Sequence, residues 1–359
     1  MNYYKKNNNN SIYKYISIIL INLIILILFA LKRKNNSRIK IGVVGVRHEV
    51  NIGNNLIKYA IHLKLKELGY IPYIIGTHYK NLDISFINQT TNLVIIHNNF
   101  SELNKDDYDV LMVNSDQSWR RFDDKFYDYG FLKFAKDWKI KKFVYGASIG
   151  YDNWRLSNLE DKTIKSLLKD FSGISTREKG SIKLIKKHLG IKPLLVLDPT
   201  LLIDKKYYLD IIKDYKGEVT FKKKYIFIYC IDISKHFVKT IKKTTKILNY
   251  ESYYLTLKNC TVQNFLYYLV NSDAVITNSY HGTLFSIIFN KPFITLYNKI
   301  LPLERFHSLG NLLAINDRFY EYGKKINIYQ LLKPLKINFE ILNKLKLQSI
   351  NFIKNNIEK

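Results

Sequence analysis

At 359 residues, with 47% hydrophobic and 14% aromatic side chains, the chain can build two cores of ordinary domain size and is too apolar to be disordered. Its formal charge of +27 would suit nucleic acid, but the lysines are spread along the chain and no arginine–aromatic stripe marks a groove. A solvated basic surface is expected, with no nucleic-acid partner. Cys230 and Cys260 are too few for a disulfide framework, and the scattered histidines form no metal-spaced motif, so no metal site and no cofactor are expected.

Residues 1–15 are polar and Asn-rich and read as a disordered N-terminus. Residues 16–32 read as a transmembrane anchor, since Ile16 to Leu31 carries no charge and is broken only by Ser17 and Asn22. At ~1.5 Å per residue such a helix spans roughly 24 Å, short of the ~30 Å hydrocarbon core. Interfacial Tyr13 and Tyr15, with Lys14, Lys32 and Arg33 snorkelling, make up the difference. A cleaved signal peptide and a buried core helix are the alternatives, although the run ends without a small-x-small cleavage site. A single-pass membrane protein is expected, and the flanking lysines leave its side of the membrane open.

Residues 38–215 read as a first Rossmann-like half. Ile39 to Val46 is an apolar run without helical period, hence a buried parallel strand. Arg47 to Asn55 follows as a loop, and a helix is expected from about Leu56 to Leu68. The loop has neither a dinucleotide fingerprint nor a phosphate loop. Gly53, flanked by asparagines, suits a positive-φ turn, either a plain turn or a ligand-contacting one through Asn51, Gly53 and Asn54. Further strands are expected at Tyr73–Gly76, Leu93–His97, Val110–Asn114 and Phe143–Ser148. Ser115, Asp116 and Gln117 cluster at the end of one of them, as a sugar's hydroxyls would require or simply as a helix cap. Arg177 follows the short strand ending Ile174-Ser175-Thr176, where its fork-shaped cation suits a carboxylate or phosphate. Leu194 to Leu197 and Asp198-Pro199-Thr200 close this half with a strand and a turn.

Residues 216–359 read as a second Rossmann-like half with a helical tail, joined through Gly217 and Lys222-Lys223-Lys224. Strands are expected at Tyr225–Ile231, Tyr253–Leu257, Ala274–Ile276 and Phe293–Tyr297, and helices at Lys235–Leu248 and Val262–Val270. The third strand leads into Asn278, Ser279, Tyr280, His281, Gly282 and Thr283, a polar turn before the apolar helix at Leu284–Phe289. A turn there exposes N–H groups and the positive end of a helix dipole, and so favours an anion. His281 adds a titratable ring, and Gly282 is expected to let a ligand approach the backbone. Arg305 and His307 lie in a further helix or turn at Leu303–Leu313. The expected fold class is therefore α/β, two Rossmann-like domains facing across a cleft (a GT-B-like layout), preceded by a transmembrane helix.

The blocks VGVRHEVNIGNN, DVLMVNSDQSW, YGASIG, ISTREKG, VLDPTLL and AVITNSYHGTLFSIIFNKPFI, in this order, resemble the polysaccharide pyruvyl transferases over roughly residues 40–318. The resemblance implies a GT-B-type transferase that moves a pyruvyl group from phosphoenolpyruvate to a glycan or lipid-linked saccharide, forming a ketal. By that likeness His281 matches the family's catalytic histidine and Arg177 the arginine that engages the donor. Two departures stand out: Asn278 replaces a frequent acid, which is expected to affect how His281 is oriented, and Asn114 replaces a frequent glycine. A nucleotide-sugar glycosyltransferase and a catalytically silent glycan-binding protein are the rival readings.

Overall fold

The structure is a computed structural model that describes residues 38–45, 51–77, 84–96, 99–298 and 303–358. The expected disordered N-terminus and the expected anchor at residues 16–32 lie outside these residues. Among the described residues no helix is long and apolar enough to cross a membrane.

Seven strands form the first sheet: β1 (Lys40–Val44), β2 (Ile71–Thr77), β3 (Leu93–Ile96), β4 (Val110–Val113), β5 (Lys141–Ala147), β6 (Gly173–Thr176) and β7 (Leu194–Leu195). All pair in parallel, in the order β3-β2-β1-β4-β5-β6-β7. Helices α1 (Ile52–Glu67), α2 (Ile84–Thr90), α3 (Phe126–Phe131), α4 (Asn158–Leu168), α5 (Lys179–Leu189) and α6 (Lys205–Ile212) belong to this half. The second sheet holds β8 (Tyr225–Cys230), β9 (Glu251–Thr256), β10 (Ala274–Thr277), β11 (Phe293–Tyr297) and β12 (Phe319–Glu321), also parallel, in the order β12-β11-β10-β8-β9. Its helices are α7 (Lys235–Leu248), α8 (Val262–Asn271), α9 (Tyr280–Ile288) and α10 (Glu304–Leu313), followed by α11 (Phe339–Glu358). The central strands β1, β4, β8 and β10 are buried along nearly their whole length, which is why they read as unbroken apolar runs.

Each strand order reverses once, between β1 and β4 in the first sheet and between β8 and β10 in the second. Such a reversal splays the loops at the strand carboxyl ends apart and opens a crevice. Asn51 and Asp116 lie beyond β1 and β4, and His281 beyond β10, at these reversals, whereas Arg177 follows β6.

Several readings change. Helix α1 begins at Ile52, because Asn51 caps it by accepting the Gly53 N–H at 2.9 Å. Helix α9 begins at Tyr280, so Tyr280, His281, Gly282 and Thr283 form its first turn rather than a loop. The strand β12 had too few residues to show alternation. The tail helix α11 also packs on the first sheet rather than extending the second. Phe352 lies against Phe143 and Tyr145, with ring centroids 6.2 and 6.4 Å away. Ser349 Oγ accepts the Leu197 N–H at 2.9 Å and Gln348 Nε2 donates to the Leu195 carbonyl at 2.7 Å, covering the β7 edge.

Candidate active site

The ends of three strands of the first half, β4, β6 and β7, meet at Arg177. Its guanidinium is almost fully buried and donates to Asp198 Oδ2 at 2.5 Å and to Asp116 Oδ1 at 2.7 Å. Glu178 lies 3.8 Å from Nε, and the Tyr280 ring stacks 4.8 Å from the guanidinium carbon. Burial opposes the Arg177 charge, but Asp116 and Asp198 outweigh it and raise its pKa. Burial likewise opposes the Asp116 carboxylate, yet Arg177 and then His281 bring its pKa below the usual range. Arg177 is therefore already committed to protein carboxylates. It ties Asp116 to Asp198, and a donor reaching it would meet a cation that already has two carboxylate partners.

Asp116 adopts φ +94°, a left-handed conformation uncommon for a side-chain-bearing residue. The fold holds it there: Asp116 bridges Ala147, and its carbonyl accepts the Ser148 N–H at 2.8 Å. Ser115 and Gln117, its neighbours, serve the scaffold. Ser115 Oγ donates to the Gly146 carbonyl at 2.9 Å, and Gln117 Oε1 accepts from Arg120 at 3.0 Å. Asn114 accepts the Ser115 N–H at 2.8 Å, a bond the family's glycine could not make.

His281 comes from the other half. It is 4% exposed, its Nε2 lies 3.9 Å from Asp198 Oδ2, and Nε2 has no hydrogen-bond partner among the described residues. Burial lowers its pKa below the usual value, against the pull of Asp198 and Asp116, so the ring rests neutral at pH 7. Gly53 explains how the ring fits. A Cβ added at Gly53 would lie 2.0 Å from His281 Nδ1 and 2.5 Å from Cε1. Gly53 sits inside α1 without a positive φ, so the expected turn role is replaced by a packing role. The glycine gives the imidazole its space.

The α9 start is fixed by its own polar residues. Ser279 caps the helix through the Gly282 N–H at 3.3 Å, and its carbonyl accepts from Thr283 Oγ1 at 3.0 Å. Gly282 has a packing role. A Cβ there would lie 2.3 Å from Thr277 Oγ1, so the glycine lets α9 pack against the end of β10. Asn278 turns away from His281: its Oδ1 accepts the Ile231 N–H at 2.8 Å, and its Nδ2 donates to the Asp232 carbonyl at 2.6 Å and to Tyr322 Oη at 3.0 Å. It ties the loop after β8 to β10. The carboxylate beside the imidazole is Asp198 instead.

Two further site residues had little sequence signal. Asp198 reads as an Asp-Pro turn, and one of its oxygens does make that turn, accepting the Thr200 N–H at 3.0 Å. The other oxygen binds Arg177. Arg305, on α10, stacks 5.7 Å from the Tyr280 ring and 5.2 Å from the Phe306 ring. Its Nε is buried without a partner, and among the described residues it has no ion pair. Burial and the nearby Arg177 lower its pKa. The two halves clasp around it: Asp152 accepts the Leu303 and Glu304 N–H groups, both at 3.0 Å, and Glu304 accepts the Gly180 N–H at 2.6 Å. These contacts cap α10 and α5 reciprocally across the cleft.

The polysaccharide pyruvyl transferase family model matches residues 51–300, which include Gly53, Asp116, Arg177, Asp198 and His281 but not Arg305. The chain belongs to the polysaccharide pyruvyl transferase family. It is a transferase. No curated protein matches it. Among solved structures it is similar to an S. aureus MnaA–UDP co-structure (14% identity, 86% of this chain and 91% of that one, TM-score 0.52). It is also similar to the UDP-GlcNAc 2-epimerase of Methanocaldococcus jannaschii (15% identity, 87% and 93%, 0.52). A third is Anabaena HepE in complex with UDP and glucose (10% identity, 89% and 96%, 0.52). At these identities the likeness is one of fold, and that fold is the GT-B-like α/β fold with parallel sheets. Among the described residues no group of His, Cys, Asp and Glu could hold a metal ion.

Proposed function

We propose that this transferase moves a pyruvyl group from phosphoenolpyruvate to two hydroxyls of a glycan or lipid-linked saccharide, giving a cyclic ketal and inorganic phosphate. The observation that carries this reading is the buried His281 imidazole, whose Nε2 is unbonded beside Asp198 in a family of pyruvyl transferases. Arg305 is the cation still open to the donor's phosphate or carboxylate, aided by the first-turn N–H groups of α9. A protonated His281 delivers its proton to the donor's methylene carbon, and the C2 centre, now cation-like, is attacked by the first sugar hydroxyl. That hydroxyl's proton reloads the imidazole. The second hydroxyl attacks C2 and displaces phosphate, which carries away its proton. Asp116 and Asp198 stabilise the imidazolium between these steps, a general acid–base contribution of typically ~10²–10⁴-fold. Anchoring at a membrane through residues 16–32 belongs to the same reading and would place the enzyme beside lipid-linked acceptors.

The fold's likeness to UDP-bound structures makes a nucleotide-sugar donor the competing reading. One assay separates them. Purified enzyme with a panel of glycans is given phosphoenolpyruvate or UDP-sugars, and phosphate release and product mass are followed. Phosphate release with ketal formation, reduced at least about 100-fold in His281→Gln, is expected. Turnover with UDP-sugars alone, or an unimpaired His281→Gln, would falsify the proposal.

A further inference from the structure

Beyond the buried cluster, the rim of the first half carries a ladder of alternating rings and arginines. The Arg155 guanidinium carbon lies 3.8 Å from the Tyr151 ring centroid. Arg120 lies 4.8 Å from the same ring and 4.7 Å from Phe122, which is 37% exposed. The loops after β4 and β5 build this ladder, and both lead straight from the site. Gln117, next to Asp116, accepts from Arg120, and Asp152, next to Tyr151, caps the helix that carries Arg305.

Among the described residues, the arginines of this ladder have no carboxylate partner. Among the described residues, Arg120 bonds only the neutral amide of Gln117, and its Nε is buried without a partner. Arg155 donates only to the Asn153 amide oxygen at 3.3 Å. Their neighbour Arg121, in contrast, is paired with Glu160. Nearby acids are engaged elsewhere: Asp152 with α10 and Asp123 with the Lys125 N–H. Stacking on rings occupies the faces of a guanidinium and leaves its N–H edge for a planar oxyanion. Two such cations, the half-buried Arg120 and the exposed Arg155, stand outside the buried His281–Arg177 cluster, where the charged groups of a larger substrate would reach them.

We infer that this ladder is the acceptor subsite and that it selects a saccharide bearing carboxylate or phosphate groups. The inference rests on the cleft being the transfer site, but its test does not depend on the donor. Calorimetry on the purified full chain, without donor, compares tetragalacturonate, a phosphorylated mannan oligosaccharide and neutral maltotetraose. At least one charged saccharide is expected to bind about tenfold or more tightly than maltotetraose, and to weaken with added salt. The Arg120→Gln/Arg155→Gln variant should lose that preference. Arg121→Gln, with the same loss of charge in the same loop, should keep it. Should the double variant misfold by circular dichroism, Arg155→Gln alone serves, because Arg155 is exposed. Equal binding of maltotetraose, no binding of either charged saccharide, or a preference unchanged in the variants overturns the inference. A failure of pyruvyl transfer with every acceptor leaves these binding outcomes intact, so the two failures are distinguishable.

Discussion

Gly53→Ala tests whether the site is assembled across the two halves. The added methyl would lie 2.0 Å from His281 Nδ1 and 2.5 Å from Cγ and Cε1, against an ordinary carbon contact of ~3.5 Å. The imidazole must therefore retreat by about 1.5 Å, or the cleft must open by a similar amount. Alanine is otherwise welcome at a helical position with ordinary φ, favouring α1 by up to ~1 kcal/mol. Overpacking costs ~1–3 kcal/mol, so the net effect on stability is small, ~2 kcal/mol at most. Activity should respond far more, since a ~1 Å misplacement of a catalytic group costs about 10²-fold. Phosphate release from phosphoenolpyruvate plus acceptor, alongside a thermal melt, reads both quantities. Proton NMR of the His281 ring gives a third readout, because displacement towards water should return its pKa towards 6.5. Activity within threefold of wild type, with the ring titration unchanged, would refute the packing of Gly53 on His281.

Other predictions concern stability more than turnover. Burial and Lys66 lower the His62 pKa from 6.5 to about 4, so the folded state binds fewer protons than the unfolded chain. This contribution is complete above pH 6.5 and is lost as pH falls towards 4, amounting to about 3 kcal/mol by linkage. Urea titrations at pH 7 and 4 should show that extra loss in wild type and not in His62→Gln. Arg177→Met leaves Asp116 and Asp198 buried without their cation and should cost ~3–5 kcal/mol, read as a lower urea midpoint. A midpoint shift below ~1 kcal/mol would mean that those carboxylates find other partners. Asn278→Asp restores the family's frequent acid but sets a carboxylate against the Asp232 carbonyl. It should destabilise by ~1–3 kcal/mol without moving the His281 titration.

The buried parallel strands were legible because sequence runs such as Tyr225–Cys230 and Phe293–Tyr297 are largely apolar on both faces. What stayed hidden depends on partners distant in the chain. Gly53 and Gly282 carry the local signal of a turn or a ligand contact, yet each is glycine because of a side chain packed against it. Asp198 makes the turn its sequence suggests, and nothing local shows that its second oxygen meets Arg177. The amphipathic tail was readable as a helix, but amphipathicity does not say which sheet will cover it. Arg177 was readable as a site residue by position, while its pairing with two carboxylates appears only when the ends of β4, β6 and β7 are brought together. Within the buried cluster, Arg305 is the cation without an ion pair among the described residues, and its neighbours in sequence give an ordinary helix.

On the proposed reading, donor binding is a protonation event. With His281 neutral, Arg177 and Arg305 face Asp116, Asp198 and Glu178, and burial is what holds the imidazole pKa down. An anionic donor seated by Arg305 adds a further negative charge near the ring. At an effective dielectric of ~20, a unit charge ~4 Å away is worth about 4 kcal/mol, against ~1.4 kcal/mol for one pKa unit. On the proposed reading, the donor raises the His281 pKa and draws onto the ring the proton destined for the methylene carbon. Donor affinity should accordingly strengthen as pH falls through the neutral range, as long as the donor keeps its own charge. Calorimetry of phosphoenolpyruvate binding in buffers of different ionisation enthalpy should show net proton uptake near pH 7, and His281→Gln should abolish it. Uptake of equal size in His281→Gln would place the proton elsewhere, and the imidazole could then not be the acid of the reaction.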